Sequence, residues 1–334
     1  MSAAPAGDAP QILVTRAFPA AVVEPYGARY RLDQGRLDRP MPRAELLARL
    51  GPVAALVSTG ADRIDAELLD AAPRLRVVAN FGVGYDSVDV AAATQRGVWV
   101  TNTPGVLTES TADIALLLLL MSLRRAGEAF EHVRHGRWRR PDPAAFWGDD
   151  PAGLTLGILG MGAIGRALAR RVQPLGMSVI YHNRHPLLPE APGDPPARWV
   201  SFAELLERAD VLSLHVPLSE ATHHLIGDAE LARMREGVVV VNTSRGAVID
   251  EPALVAALES GHVAAVGLDV FEHEPDVPRA LRTHPRAVCL PHIGSATTRT
   301  RHAMMRLALD NAVAVIEDRR PQTPVNEPGP RATG

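Results

Sequence analysis

Arg245, Glu274 and His292 are the residues of this sequence whose types and positions could do chemistry. Each follows a short apolar run that predicts a β-strand, and the carboxyl ends of parallel strands meet at one edge of a sheet. A guanidinium holds a carboxylate and polarises a carbonyl, while an imidazolium supported by a carboxylate donates a proton. Singly, the three also fit a capping cation, a loop surface charge and a turn histidine. Together they predict acid-assisted reduction of a 2-keto acid.

A glycine run lies between an apolar segment and an amphipathic one. It has the spacing G-x-G-x-x-G, with Gly160 for a tight turn, Gly162 for close approach of a pyrophosphate and Gly165 for helix–strand packing. The amino terminus of the following helix would bind the anion. The predicted dinucleotide contacts here are Gly160, Met161, Gly162, Ala163, Ile164 and Gly165.

The next predicted strand ends in Tyr181 and is followed by His182, Asn183 and Arg184. An NAD-specific site places a carboxylate on the ribose 2′-hydroxyl near this position, and none stands here. Asn183 does not repel a 2′-phosphate, and Arg184 can pair with it. NADPH is therefore the predicted cofactor, with NADH possible, and the alternative for Arg184 is a solvated loop cation.

Apolar runs alternate with helix-like segments along the chain, which predicts parallel strands joined by crossover helices. Strands are predicted over residues 11–15, 54–58, 75–79, 98–100, 154–160, 178–181, 211–215, 238–242, 264–268 and 287–290. Long helices are predicted over 108–134 and 296–318, and the second is long enough to return to the first domain. The predicted domains are therefore 1–103 with 296–334, and 104–295. The proline-rich residues 321–334 are expected to be frayed.

The ordered motifs resemble those of the D-isomer-specific 2-hydroxyacid dehydrogenase family over nearly the whole chain. Besides the glycine run, they include residues 215–218, 267–271 and 291–294. The resemblance implies two Rossmann-like doubly wound α/β domains, a flavodoxin-like substrate domain and an NAD(P)-binding domain. It also implies a cleft between them, a homodimer, and a catalytic set formed by Arg245, Glu274 and His292.

The resemblance extends to further site residues. It implies that the amides of Val83 and Gly84 hold the substrate carboxylate, in a glycine-containing loop whose alternative is a plain strand-to-helix turn. Trp147 would reach the substrate site of the neighbouring subunit or, equally, serve as an interface anchor. Further implied cofactor contacts are Thr108, Asn183, Arg184, His215, Pro217, Thr222, Thr243, Ser244, Asp269 and Gly294.

Within the family, residues 80–86 and 181–184 look most like the glyoxylate, hydroxypyruvate and 2-ketogluconate reductases. This resemblance implies NADPH-preferring reduction of glyoxylate or hydroxypyruvate, and of 2-ketogluconate as a further substrate, to the D-2-hydroxy acid, with His292 as proton donor. Two alternatives stay open. One is an NADH-dependent reductase of a bulkier 2-keto acid, and the other is a nucleotide-sensing binding protein without turnover.

Composition excludes several other classes. The formal net charge is −3 with both signs interspersed, so no global field recruits nucleic acid or an anionic membrane. A single cysteine, with no signal-like apolar stretch at the start, favours the cytoplasm. Although there are twelve histidines, His223 and His224 are adjacent and no H-E-x-x-H pattern occurs, so no metal is predicted.

Overall fold

The computed structural model describes residues 9–187 and 196–329. Within them the chain forms two compact units, one up to Leu107 and again from Thr297, and the other over Thr108–Ala296. The first division, after Leu107, lies four residues beyond the predicted boundary after residue 103, and the second, before Thr297, lies one residue beyond the predicted boundary before residue 296.

The first unit contains a parallel sheet of five strands. Its strands and helices along the chain are β1 (Gln11–Val14), α1 (Ala20–Gly27), β2 (Arg31–Gln34), α2 (Arg43–Arg49), β3 (Val53–Ser58), α3 (Ala66–Asp70), β4 (Val77–Asn80), α4 (Val90–Gln95) and β5 (Trp99–Thr101). The strand order β2-β1-β3-β4-β5 is the flavodoxin-like order that the resemblance implies. The sequence did not predict β2, because this partly buried edge strand is mostly polar and lacks an apolar run.

The second unit contains a parallel sheet of seven strands in the order β12-β11-β10-β9-β6-β7-β8. Its elements are α5 (Thr108–Leu123), α6 (Ala126–Arg134), β6 (Thr155–Leu159), α7 (Ala163–Val172), β7 (Ser178–His182), β8 (Arg198–Trp199), α8 (Phe202–Arg208), β9 (Val211–Leu214), α9 (Asp228–Arg233), β10 (Val238–Asn242), α10 (Glu251–Ser260), β11 (Val263–Leu268), α11 (Arg279–Thr283) and β12 (Ala287–Cys289). The predicted α/β fold class is thus confirmed in both units. Two-residue β8, exposed at the sheet edge, escaped prediction.

The single helix predicted over 108–134 was wrong, because the structure has two helices there. Leu123 ends α5, and its carbonyl accepts the amide of Asp149 from a later loop rather than continuing the helical ladder. Arg125 then takes a left-handed conformation with φ 51°, and its side chain pairs with Glu128 at 2.7 Å. α5 packs against β10 and β11, whereas α6 buries none of its residues.

The last helix, α12 (Thr298–Ile316), begins after Thr297, whose side chain accepts the Thr300 amide at 3.1 Å. It packs against β3 and β4 of the first unit, as expected from its length. Among the described residues, none of the helices combines the length and apolar character needed to cross a bilayer.

The prediction that residues 321–334 are frayed was wrong as far as residue 329, and the remainder lies outside the described residues. Buried Asn311 accepts the Gln322 amide at 2.8 Å and donates to Thr323. Asn326 accepts the amide of Val100 at 2.7 Å. These amide side chains pair with backbone groups that a frayed segment would leave to water.

Candidate functional site

The glycine run forms the turn between β6 and α7. Gly160 has φ +99°, and a Cβ there would lie 2.8 Å from the His215 carbonyl carbon. A Cβ on Gly165 would lie 2.6 Å from the Gly160 oxygen, so only glycine lets helix and strand approach. Gly162 is the N-cap of α7, and the described chain places nothing within 4 Å of its Cβ position. The start of α7 therefore offers amides and a positive helix end to an anionic ligand.

Asn183 is fixed just after β7 by two hydrogen bonds. Its side-chain Oδ1 accepts the Met161 amide at 2.7 Å, and its carbonyl accepts the indole N–H of Trp199 at 3.1 Å. The side-chain oxygen of Asn183 is thus engaged as an acceptor, and its Nδ2 group is the donor of this side-chain amide. The sequence did not single out Trp199, because its proximity to Asn183 depends on the pairing of β8 with β7.

The segment 183–187 is also fixed at its other end, where the Leu187 amide donates to the Tyr181 hydroxyl at 3.2 Å. Arg184 and His185 lie between these attachments with exposed side chains. The second unit thus presents a short basic loop beside the start of α7.

The segment after β9 carries three predicted cofactor contacts. His215 lies 2.9 Å from the Ser213 hydroxyl through Nε2, and desolvation lowers the pKa of its imidazole to about 4, so the ring is neutral at physiological pH. Thr222 closes the following turn by donating to the Pro217 carbonyl at 2.7 Å. His215 and Thr222 are therefore neutral side chains held by hydrogen bonds.

Buried Asn242 organises the loop after β10. Its Oδ1 accepts both the amide and the hydroxyl of Ser244 at 2.9 Å, and its Nδ2 donates to the Arg245 carbonyl at 2.8 Å. The Thr243 hydroxyl is buried with no hydrogen-bond partner in the described chain, which fits a site that pairs with a ligand. The sequence analysis did not assign this loop-organising role to Asn242, although an asparagine at the end of a run of valines could have indicated it.

His292 and Glu274 form a hydrogen-bonded pair, with His292 Nδ1 2.8 Å from Glu274 Oε2. Glu274 Oε1 accepts the Phe271 amide at 3.1 Å. His292 holds a left-handed backbone with φ 52°, which is uncommon for a residue other than glycine. Because the pair uses Nδ1, the Nε2 atom is the one on the opposite edge of the ring, away from Glu274.

Glu274 is held in its charged form. Burial disfavours the carboxylate, but the hydrogen bond and charge of His292, the Phe271 amide and the charge of Arg245 outweigh it, and the pKa of Glu274 lies below its usual range. The Arg245 Nη1 donates to the Ser244 carbonyl at 2.8 Å. All three predicted catalytic residues thus belong to loops of one sheet edge, and their charges interact.

Asp269 supports the turn that carries His292. Its two carboxylate oxygens accept the amides of Ile293 and Gly294, each at 2.7 Å, and its carbonyl accepts the His292 amide at 2.9 Å. Burial raises the pKa of Asp269, while these amides oppose the rise. The structure therefore gives Asp269, predicted as a cofactor contact, a positioning role for His292.

Val83 and Gly84 lie in a loop of the first unit, whereas the other predicted site residues lie in the second. The Asn80 side chain donates to the carbonyls of Gly82 and Gly84, and Asn102 donates to that of Val83 at 2.8 Å. Since a trans peptide points its N–H opposite to its C=O, the Val83 and Gly84 amides face away from these asparagines. The sequence analysis assigned no role to either asparagine.

Two more predicted residues, Thr108 and Trp147, lie in the second unit. Thr108 is the first residue of α5 and is buried. Trp147 is 74% exposed, and its indole N–H donates to the Pro143 carbonyl at 2.7 Å. Trp138 and Phe130 are also exposed.

Comparison with known proteins gives one consistent answer. Residues 116–294 match the family described as D-isomer specific 2-hydroxyacid dehydrogenase, NAD binding domain. The glyoxylate reductase of Thermococcus litoralis is 42% identical over 322 residues, covering 95% of this chain and 97% of that protein. The 4-methyl-2-oxopentanoate reductase A of Aspergillus oryzae is 46% identical over 254 residues, or 76% of each chain.

Among solved structures, an NADPH-dependent glyoxylate/hydroxypyruvate reductase from Sinorhizobium meliloti, in complex with NADP and malonate, superposes with a TM-score of 0.85. It is 37% identical, and the match covers 97% of this chain and 99% of that one.

Proposed function

This chain belongs to the D-isomer specific 2-hydroxyacid dehydrogenase family and is an NAD(P)-dependent oxidoreductase, and we propose that it reduces glyoxylate and hydroxypyruvate to D-2-hydroxy acids. The observation that carries the proposal is the pairing of His292 with Glu274 at 2.8 Å. The names of the Thermococcus and Sinorhizobium relatives support the substrate class. 2-Ketogluconate is a further proposed substrate.

Hydride transfer, proton transfer and charge stabilisation are assigned to different groups. When bound, the nicotinamide supplies a hydride to the substrate carbonyl carbon. Glu274 stabilises the imidazolium of His292, whose Nε2 gives its proton to the carbonyl oxygen, so that the C=O group becomes CH–OH. Arg245 pairs with the substrate carboxylate and offsets the negative charge on the oxygen. In the first unit, the amides of Val83 and Gly84 are proposed carboxylate-binding groups.

Glycine-run and loop residues would hold the dinucleotide. The open Cβ position of Gly162 leaves room for a pyrophosphate at the start of α7. The buried Thr243 hydroxyl, which has no hydrogen-bond partner in the described chain, would hydrogen-bond to the cofactor. The remaining proposed cofactor contacts are Thr108, which the resemblance places near the nicotinamide, and Ser244, Asp269, Gly294, His215, Pro217 and Thr222.

NADPH is the proposed preferred cofactor. Because Met161 occupies the Asn183 oxygen, Asn183 can offer a 2′-phosphate only donors, and exposed Arg184 adds a cation nearby. A 2′-phosphate is then favoured by charge-assisted hydrogen bonds, which are about twice as strong as neutral ones.

A second candidate is reduction of a bulkier, branched 2-keto acid with NADH. The specific observation in its favour is the 46% identity to the 4-methyl-2-oxopentanoate reductase of Aspergillus oryzae. Both candidates use the same His292 and Glu274 pair, so they differ only in side-chain pocket and cofactor.

We also propose a cytoplasmic homodimer. The side chains of Trp147, Trp138 and Phe130 are exposed, and aromatic side chains are enriched in protein–protein interfaces. In this assembly Trp147 would reach the partner's substrate site, and a Trp147→Ala dimer with unchanged substrate selectivity would remove that role.

The test is a matrix of oxidation rates, with NADPH or NADH as cofactor and glyoxylate, hydroxypyruvate, 2-ketogluconate or 4-methyl-2-oxopentanoate as substrate. We expect the highest kcat/KM with NADPH and one of the first two acids. A preference for NADH with the branched acid would select the second candidate. Tight binding of cofactor without turnover of any 2-keto acid would contradict both and favour a sensor.

A further inference from the structure

His223, His224 and Glu272 form a cluster in the second unit, here called the His–His–Glu cluster. One nitrogen or oxygen from each of the three lies within 4.8 Å of those of the other two. Successive side chains of an extended chain point to opposite sides, but His224 has a left-handed backbone with φ 49°. Its ring therefore stacks on that of His223, with centroids 4.0 Å apart and planes at 29°.

His224 is oriented by carboxylates on both edges of its ring. Its Nε2 lies 2.8 Å from Glu272 Oε1, and its Nδ1 faces Asp250 Oδ2 at 3.7 Å. Metal-binding histidines commonly donate their second ring N–H to a carboxylate, which fixes the ring and strengthens the ligand. Asp250 lies on that side of the ring, although 3.7 Å is longer than a hydrogen bond. Asp250 is itself held as the cap of α10, where it accepts the Ala253 amide.

The backbone under the cluster is also held in place. The His224 amide donates to the Ala247 carbonyl at 2.8 Å, and the Glu272 amide donates to Glu251 Oε1 at 2.8 Å. His223 is exposed, while the side chains of His224 and Glu272 are 34% and 14% exposed. The ligands are thus ordered yet reachable from solvent.

From this arrangement we propose that the His–His–Glu cluster binds a divalent transition-metal cation such as Zn²⁺, separately from the reaction site. Two imidazoles and one carboxylate match the ligand preference of Zn²⁺ and leave the fourth tetrahedral position to water. The hard cations Mg²⁺ and Ca²⁺ prefer all-oxygen sites and are disfavoured. On binding, the cation replaces the proton between His224 Nε2 and Glu272, and that proton is released to solvent.

The site would join two segments of the second unit. His223 and His224 directly follow Thr222, and Glu272 lies two residues before Glu274. A cation held between them connects the turn after β9 to the loop that supports the acidic partner of His292. The cation is expected to stabilise the folded chain, because a ligand that binds only the native state raises its free energy of unfolding.

The experiment is calorimetric titration of the metal-stripped full chain, free of any histidine tag, with ZnCl₂. We expect one saturable site and at least a tenfold weaker Kd in His223→Asn, whose exposed side chain makes a folding defect improbable as the cause. His135→Asn is the matched control, since His135 is also exposed and lies beside a carboxylate, 3.0 Å from Glu131, and it should leave Kd unchanged.

Cobalt absorption adds a readout of geometry, because tetrahedral Co²⁺ with nitrogen ligands absorbs intensely in the visible and the hydrated ion does not. Loss of this band in Glu272→Gln with unchanged circular dichroism supports Glu272 as a ligand. The proposal is overturned if the wild-type chain shows no saturable Zn²⁺ binding, if His223→Asn binds Zn²⁺ as tightly as wild type, or if Mg²⁺ binds equally well.

Discussion

Replacing Glu274 by glutamine tests the charge that supports His292. Glutamine keeps an oxygen that can accept the His292 Nδ1 proton, so the change removes the carboxylate charge and little of the shape. Hydrogen bonds to charged groups contribute about 1.5 to 3 kcal/mol, and the lower part of this range applies because the His292 and Glu274 side chains are 48% and 36% exposed. A loss of about 1.5 to 2 kcal/mol corresponds to a roughly 10- to 30-fold decrease in kcat/KM.

The assay is the steady-state reduction of the best 2-keto acid as a function of pH, together with the Kd of the cofactor. Because the pKa of Glu274 lies below its usual range, the acid fall in wild-type kcat/KM that comes from protonation of this carboxylate should be absent in Glu274→Gln. Cofactor Kd should stay unchanged, because Glu274 acts on the proton donor. Glu259→Gln, at an exposed position of α10, is the matched control. A Glu274→Gln enzyme within twofold of wild type, with an unmoved pH profile, would refute the reasoning.

Three further predictions concern cofactor choice, acid stability and packing. Trp199→Phe removes the indole hydrogen bond to the Asn183 carbonyl, which contributes about 0.5 to 1.5 kcal/mol. The KM for NADPH should rise roughly 2- to 10-fold, with little change in the KM for NADH. Equal changes for both cofactors would contradict this positioning role. The Tyr30 hydroxyl is the main cause that lowers the pKa of Glu317 from 4.5 to about 2, so Glu317 contributes stability above pH 4.5 that is lost as the pH falls towards 2. In Glu317→Gln, the free energy of unfolding should therefore depend less on pH in that window. A pH dependence parallel to that of wild type would argue against this role. Gly246→Ala places a Cβ 1.9 Å from the backbone of the neighbouring loop and should lower the free energy of unfolding by about 3 kcal/mol in urea titrations; a loss below 1 kcal/mol would show that the loop yields.

Strand positions in the buried sheets were predictable because each strand covered on both faces must be apolar throughout. The run of valines at β10 and the apolar segment at β6 therefore appeared in the sequence within a residue or two of their observed bounds. The edge strands β2 and β8 did not, because they are short and have no apolar run, and their extended form depends on a neighbouring strand.

The helix break at Leu123 shows the same limit. No proline lies between residues 108 and 134, and the one glycine, Gly127, lies inside α6 rather than at the break. The Leu123 carbonyl instead accepts the amide of Asp149, 26 residues later in the chain. Likewise, the asparagines at 80, 183 and 242 act through backbone groups whose positions arise only from strand pairing.

The sequence by itself determined the class of fold, the nucleotide-binding turn and the set of residues fit for proton transfer, because apolar periodicity, glycine spacing and side-chain type are local properties. Only the tertiary structure decided that His292 uses Nδ1 toward Glu274, that Asp269 is occupied by the amides of the His292 turn, and that His223 and His224 share one side of the chain. These are orientations, and orientation depends on hydrogen bonds between segments far apart in sequence, which no local pattern encodes.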